Sequence, residues 1–146
     1  IIAALVAGVA AVAAFALPLK LNILVAIAAA VVICLMLERA GAPLKGVASF
    51  HGLFTPPGLP TVSPMAVKVA AYHGWDDPMV PPADVVALGQ ELTAARADWQ
   101  IHAFGGAKHA FMNPGANMPD MGIEYHEATA HRAWTAMAGF LGEVLA

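Results

Sequence analysis

Two observations predict an α/β fold with a parallel sheet for the part of this chain that follows residue 45. Short apolar segments alternate with longer segments whose apolar residues recur at helical spacing, which is the pattern of βαβ units. Histidines and aspartates cluster where the short segments end, and chemistry in open parallel sheets lies beyond the carboxyl ends of the strands. Residues 1–40 have a contrasting apolar composition, so we divide the chain into segments 1–40 and 41–146.

Residues 1–37 are almost free of charge, with Lys20 as their one charged side chain among the 17 of the chain. Two apolar runs, residues 1–17 and 23–37, flank the turn-forming Pro18 and Asn22. Each run approaches the roughly 20 residues that cross a membrane. The pattern predicts an apolar two-helix hairpin that is a candidate transmembrane anchor. A buried helical pair in a soluble protein is the alternative, because alanine is only weakly hydrophobic.

Residues 16–30 (ALPLKLNILVAIAAA) resemble the last helices of the branched-chain amino-acid exporter (azaleucine-resistance) permease family. The resemblance implies a remnant of a transporter, because two helices cannot enclose a substrate path. Arg39 and Lys45 follow the second run, whereas Lys20 stands alone between the runs. Because Lys and Arg next to membrane spans are enriched on the cytoplasmic side, the larger number after the second run favours a cytoplasmic C-terminal part, anchored to the membrane through residues 1–37.

Charge and cysteine content exclude several classes of function. The net charge of −3 and the lack of any Lys/Arg cluster argue against nucleic acid as a partner. Cys34 is the single cysteine, so no internal disulfide can form, and its apolar surroundings are typical of an inert buried thiol. His126 and His131 are five residues apart, off a common helix face, so we expect no metal site. We expect no cofactor.

Three strands and two helices are predicted after residue 45. Residues 47–50, 67–72 and 99–104 are short apolar strands, each followed by glycine or a His-Gly pair. A helix near residues 83–96 begins at Pro81-Pro82, as helices often do. A second helix near residues 124–145 has a predicted apolar stripe of Trp134, Met137, Leu141 and Val144.

Ionisable residues follow the ends of these strands: His51, His73, Asp76, Asp77, Lys108 and His109. An aspartate after one strand and a histidine after the next can meet, so that the carboxylate fixes the tautomer of the imidazole. Asp77 followed by His109 matches the last two members of the order nucleophile, acid, histidine. Asp76 is the alternative acid, although it could instead cap the turn.

Four sequence blocks resemble the dienelactone hydrolase family. They are GAPLKGVASFHG (residues 41–52), HGWDDPMVPP (73–82), DWQIHAFGGAKHAFMNP (98–114) and EYHEATAHRAWTAMAGFL (124–141). The resemblance implies the C-terminal half of an α/β-hydrolase fold and hydrolysis of a small-molecule ester or lactone through an acyl-enzyme. It places Asp77 at the catalytic acid and His109 at the catalytic histidine.

The nucleophile of that family does not occur in this sequence. The family places a Gly-x-Cys-x-Gly elbow, or its serine version, shortly before residue 41, where this chain reads LVAIAAA (residues 24–30). Ser49, Ser63 and Cys34 are the only serines or cysteines, and none is flanked as an elbow requires. We therefore expect a truncated hydrolase with little activity alone. A membrane-protein fragment and a non-catalytic binding module are the other hypotheses.

Four further residues are candidates for the lining of a substrate pocket: His51, His73, Trp75 and Phe111. His51 and His73 stand beside glycines at predicted strand ends, where pocket lining or a strand-end hydrogen bond is expected rather than catalysis. For Trp75 and Phe111, packing in the core or at the rim of a pocket explains the residue type equally well.

Overall fold

The computed structural model describes residues 44–54 and 64–146. Within them, strands β1 (Gly46–Phe50), β2 (Lys68–Gly74) and β3 (Trp99–Phe104) form one sheet in the order β1-β2-β3. Both pairings are parallel. The predicted α/β class, with three adjacent parallel strands, is confirmed.

Strand β2 lies between the other two strands and is buried on both faces, as expected for the middle strand of a parallel sheet. On one face, the register places Phe50, Tyr72 and His102 side by side. Their rings stack, with centroids 4.5 Å apart for Phe50 and Tyr72 and 5.1 Å apart for Tyr72 and His102. This row of aromatic rings fixes the register of the three strands on that face.

Helices cover both faces of the sheet. Helix α1 (Pro82–Ala94) contacts β3, and helix α2 (Glu127–Leu145) contacts β1 and β2. The first helix begins with Pro82 in its first turn, where the missing N–H costs nothing. The second begins after His126, whose Nδ1 atom accepts a hydrogen bond from the N–H of Thr129 at 3.2 Å.

The buried face of α2 differs from the predicted stripe. Val144 is buried as predicted, but Trp134 is 60% exposed and Leu141 is exposed as well. Ala133 and Phe140 are buried instead. The face of α2 that packs on the sheet therefore contains Ala133, Phe140 and Val144, with Met137 at its side, and is turned away from Trp134 and Leu141.

The element boundaries differ from the predicted ones at two places near the carboxyl edge. Strand β2 continues to Gly74, so His73 lies inside the strand and not after it. Helix α2 begins at Glu127 because the preceding residues form β5 (Ile123–Glu124), which pairs antiparallel with β4 (Asn117–Met118). A short 3-10 turn (Pro119–Met121) connects this pair.

The predicted hairpin at residues 1–37 lies outside the described residues. Within residues 44–54 and 64–146, neither helix is long and apolar enough to cross a bilayer.

Candidate active site

Asp77 lies in the turn that follows β2. The N–H of Asp77 donates to the carbonyl of Gly74, and the N–H of Val80 donates to the carbonyl of Asp77. The N–H of Met79 also donates to Asp77 Oδ1 at 2.8 Å, so the side chain and the backbone of the turn hold each other. The side chain is buried, and one carboxylate oxygen is left to face another group.

His109 lies in the loop that follows β3. Its N–H donates to the carbonyl of Gly122 at 2.9 Å, and its own carbonyl accepts from the N–H of Glu124 at 3.0 Å. These two bonds attach His109 to strand β5, next to the salt bridge between Lys108 and Glu124. The backbone of the histidine is therefore fixed by residues that come after it in the chain.

Asp77 and His109 are in direct contact across the carboxyl edge of β2 and β3. His109 Nδ1 lies 2.7 Å from Asp77 Oδ2. The Asp77 side chain is 1% exposed, and that of His109 is 21% exposed. Asp76, the alternative acid, is exposed, and its N–H donates to the carbonyl of Ala107. Of the two neighbouring aspartates, the geometry pairs Asp77 with the histidine.

This contact determines what the imidazole can do. A carboxylate can only accept, so the hydrogen bond places a proton on Nδ1 of His109. Nε2 then carries the lone pair, and no described residue makes a hydrogen bond to it. An imidazole whose Nδ1 contacts a buried carboxylate can take a proton at Nε2, because the carboxylate stabilises the imidazolium that results.

His51 also faces this site, from the end of β1. Its Nε2 atom accepts a hydrogen bond from the N–H of Met112 at 3.1 Å. Its ring meets Phe111 edge-on with centroids 4.7 Å apart, and the ring of His109 is 5.8 Å away. Burial first, and the neighbouring His109 second, lower the pKa of His51 to about 4, although Asp77 acts in the opposite direction.

The other residues proposed to line a pocket lie in different surroundings. His73 and Phe111 are fully buried, so neither offers surface to a ligand in the described part of the chain. Burial also lowers the pKa of His73. Trp75 is 42% exposed, and its backbone N–H donates to the carbonyl of Phe104.

Gly122 and Gly74 shape the site, although sequence reasoning did not single them out. Gly122 has φ +71°, and a Cβ atom there would overlap Cγ of Pro78. A Cβ atom on Gly74 would lie 2.5 Å from the carbonyl oxygens of Ala107 and Lys108. Both glycines therefore let the loop of Asp77 and the loop of His109 approach each other. A glycine beside a predicted turn is visible in the sequence, but the residues that each of these glycines contacts are distant in sequence, so their role could not be predicted.

No nucleophile contacts His109 within residues 44–54 and 64–146. Ser49, the one serine or cysteine described, lies in β1 and makes no hydrogen bond to His109. Ser63 and Cys34 lie outside the described residues.

The described part also contains no cluster of three or more potential metal ligands. A groove of about 650 Å³ lies between α1 and β3, lined by Val85, Trp99 and Ile101 among others, and neither Asp77 nor His109 borders it.

Comparison with known proteins identifies similar sequences and folds. The model of the dienelactone hydrolase family matches residues 30–145. A dienelactone-hydrolase-like promiscuous phosphotriesterase from metagenomic libraries is 34% identical, with a TM-score of 0.64 over 76% of this chain. The structure named m3DLH is 37% identical, with a TM-score of 0.63 over 75% of this chain. An esterase from Thermogutta terrifontis, 16% identical over 70% of this chain and 44% of its own, shares the fold with a TM-score of 0.52.

This chain spans about half the length of these solved structures, 47% of the phosphotriesterase and 46% of m3DLH. No curated protein matches it. The family match begins at residue 30, eleven residues before the first block that the sequence alone relates to the family. Residues 30–37, assigned from composition to the apolar hairpin, therefore belong to the region that the family shares.

Proposed function

The chain belongs to the dienelactone hydrolase family, and on that premise we propose that it carries the acid and the histidine of a hydrolytic triad that acts on small esters or lactones. The observation that supports this most directly is the 2.7 Å contact between His109 Nδ1 and the buried Asp77 Oδ2. The contact lies beyond the carboxyl ends of two adjacent parallel strands, which is where catalytic and binding residues lie in open α/β sheets.

In the proposed reaction, His109 Nε2 removes the proton from a nucleophile as that nucleophile attacks the carbonyl carbon of the ester. The carbon–oxygen bond to the leaving group then breaks, and the imidazolium gives the proton to the departing oxygen. A water molecule attacks the acyl-enzyme in the same way, with His109 again taking and returning a proton. Asp77 stays ionised throughout, keeps the imidazole in one tautomer and stabilises its charged form.

We further propose that the nucleophile is not a residue of this sequence. None of its serines or cysteines is flanked as a nucleophile elbow requires, and Ser49 has no hydrogen bond to His109. Nucleophile and base need to lie within about 2.6–3.2 Å of each other, or slightly more without substrate. The sequence alone is therefore expected to hydrolyse an activated ester no faster than its His109→Ala variant.

A chimera tests the role of the pair directly. The segment of a family relative that ends just after its Gly-x-Cys-x-Gly elbow is fused to residue 30, where the family match begins. Circular dichroism first establishes that the chimera and its variants fold. Hydrolysis of 4-nitrophenyl acetate is then followed for the chimera and for the chimera with Asp77→Asn, His109→Ala or Asp76→Asn.

We expect Asp77→Asn to lower kcat on the order of 10³–10⁴-fold, because the asparagine no longer stabilises the charged imidazole. His109→Ala should lower it at least as much. Asp76→Asn removes the exposed neighbouring carboxylate and should leave the rate nearly unchanged, which makes it the matched control. A folded chimera whose rate does not depend on His109 would overturn the proposal.

A further inference from the structure

We propose that His51 is a positioning residue for His109, and that its Nε2 atom attaches the turn carrying His109 to the end of strand β1. This inference rests on the proposed function, because it concerns the histidine that would act as the base. In this proposal, His51 acts by holding His109 in place and does not itself contact the substrate.

The contacts of His51 with this turn involve both its polar atoms and its ring. The N–H of Met112, three residues after His109, donates to His51 Nε2 at 3.1 Å. The ring of Phe111 meets the ring of His51 at 88°. These residues are about sixty positions apart in the sequence, so the contact joins two elements that share no local structure.

The turn needs such an attachment because its backbone is costly. Ala110, directly after His109, has φ +61°, a conformation that residues with a side chain rarely adopt. On one side, the bonds of His109 with Gly122 and Glu124 hold the turn to strand β5. The hydrogen bond from Met112 to His51 is the corresponding attachment on the side of β1.

His51 itself is held in an unfavourable conformation. Its φ is +52°, and its N–H donates to the carbonyl of Tyr72 at 3.2 Å, one strand away. A residue with a side chain keeps such a backbone only where the surrounding structure determines it, and residues of this kind gather at functional sites. This backbone directs the imidazole of His51 toward the turn of His109.

The attachment requires a neutral imidazole, because Nε2 can accept a hydrogen bond only when it is unprotonated. Burial and the nearby His109 keep the pKa of His51 at about 4, against the opposing effect of Asp77. His51 is thus neutral at physiological pH. When His109 takes up a proton, it meets an uncharged neighbour and not a second cation.

Two variants separate this role from simple packing. His51→Phe keeps an aromatic ring against Phe111 but removes the acceptor. His51→Gln loses the ring but places an amide oxygen where Nε2 was, and this oxygen does not titrate. If His51 only fills space, His51→Phe should resemble the natural protein more closely than His51→Gln does. If His51 positions the turn, His51→Gln should be the variant that resembles the natural protein more closely.

Nuclear magnetic resonance of the whole chain supplies a test that needs no catalytic turnover. The readouts are the hydrogen-exchange rate of the Met112 amide and the resonance of the His109 Nδ1 proton shared with Asp77. We expect His51→Phe to speed exchange at Met112 on the order of tenfold or more, as one hydrogen bond is lost. The same variant should weaken the Nδ1 resonance, and His51→Gln should restore both readouts.

A titration provides the second measurement, including for a phenylalanine variant that fails to fold. As the pH falls toward about 4, protonation of His51 removes the acceptor of the Met112 amide, so the Met112 signal should change in the natural protein and stay unchanged in His51→Gln. Equal behaviour of the natural protein and both variants would refute the positioning role. That result would leave the Asp77–His109 pair intact, so it differs from a failure of the proposed function, which the chimera shows by its indifference to His109.

Discussion

At the scale of single residues, His51 and His73 differ in how their ring nitrogens are satisfied. His51 accepts a hydrogen bond through Nε2. Neither ring nitrogen of the fully buried His73 has a hydrogen-bond partner among the described residues, and its ring packs against Phe54 with centroids 5.4 Å apart. A buried polar atom without a partner costs about 1–3 kcal/mol. His73 is therefore expected to lower the stability of the domain at its position.

We predict that His73→Met leaves the free energy of unfolding at pH 7 unchanged within about 1 kcal/mol, or raises it. Methionine removes two unpaired nitrogens while filling a similar volume and adapting its shape to the site. Thermal or denaturant unfolding of both proteins at pH 7 measures the difference. A loss larger than about 2 kcal/mol would contradict the prediction and show that a nitrogen of His73 is bonded.

The burial of His73 also affects how the stability of the protein depends on pH. Burial lowers the pKa of His73 in the folded protein below the ordinary value of 6.5. Between the two values, the unfolded chain binds a proton that the folded protein does not, so stability rises with pH in that window. Above about pH 6.5, His73 is neutral in both the folded and the unfolded state and does not reduce stability. Below this value the unfolded chain takes up the proton first, so the free energy of unfolding falls as the pH falls.

His73→Met should therefore flatten the loss of stability below pH 6.5, measured as the midpoint of denaturant unfolding at several pH values. His131→Met, at an exposed position of α2, is the matched control for the loss of a histidine. Equal slopes in the natural protein and His73→Met would contradict the assignment.

At the scale of elements, the approach of two loops depends on a glycine. Gly122 precedes β5, its carbonyl accepts the N–H of His109, and its Cα faces the ring of Pro78. Pro78 directly follows Asp77, so this contact sets the distance between the loop of the acid and the loop of the histidine. The positive φ of +71° allows the backbone of Gly122 to make it.

Gly122→Ala is predicted to destabilise the domain by about 2–4 kcal/mol, because alanine is strained at this φ and its Cβ would overlap Pro78. The resonance of the shared His109–Asp77 proton should broaden or shift as the loops move apart. Gly139→Ala is the control, since its Cβ meets nothing within 4 Å on helix α2. It should stabilise the helix by about 0.5–1 kcal/mol. A Gly122 variant as stable as the natural protein would refute the argument.

Sequence periodicity was sufficient for the three parallel strands and the two helices, because these depend on local patterns, whereas the choice of Asp77 over Asp76 came from the family resemblance. Three strands, two helices, and an aspartate and a histidine beyond adjacent strand ends follow from spacing and residue type. The exposure of Trp134 did not follow, because helical spacing alone does not show which face lies closest to the sheet. The roles of His51 and Gly122 depend on partners that are distant in sequence, and a periodic pattern carries no information about those.

At the scale of the whole molecule, charge and family membership divide the chain at different positions. Composition places the boundary after residue 37, where charged residues begin to recur. The family match begins at residue 30, within the second apolar run. Residues 30–37 therefore lie both in the second apolar run and in the region that matches the family.

Two deletions distinguish these origins. Removing residues 1–29 leaves every residue of the family match in place, whereas removing residues 1–37 takes eight of them away. We predict that the first deletion raises solubility in the absence of detergent, because an uncovered apolar run exposes more nonpolar surface than a monomer tolerates. We predict that the second deletion lowers the melting temperature relative to the first, because it removes eight mostly apolar residues that match the family model.

The measurements are the soluble fraction after centrifugation, with and without detergent, and the thermal midpoint of each deletion protein. Equal thermal midpoints would place residues 30–37 outside the domain and return them to the hairpin. A protein without residues 1–29 that is less soluble than the full chain would contradict the first prediction. It would favour the alternative of a buried helical pair over a membrane anchor, because removing a membrane anchor should make a protein more soluble in water, not less.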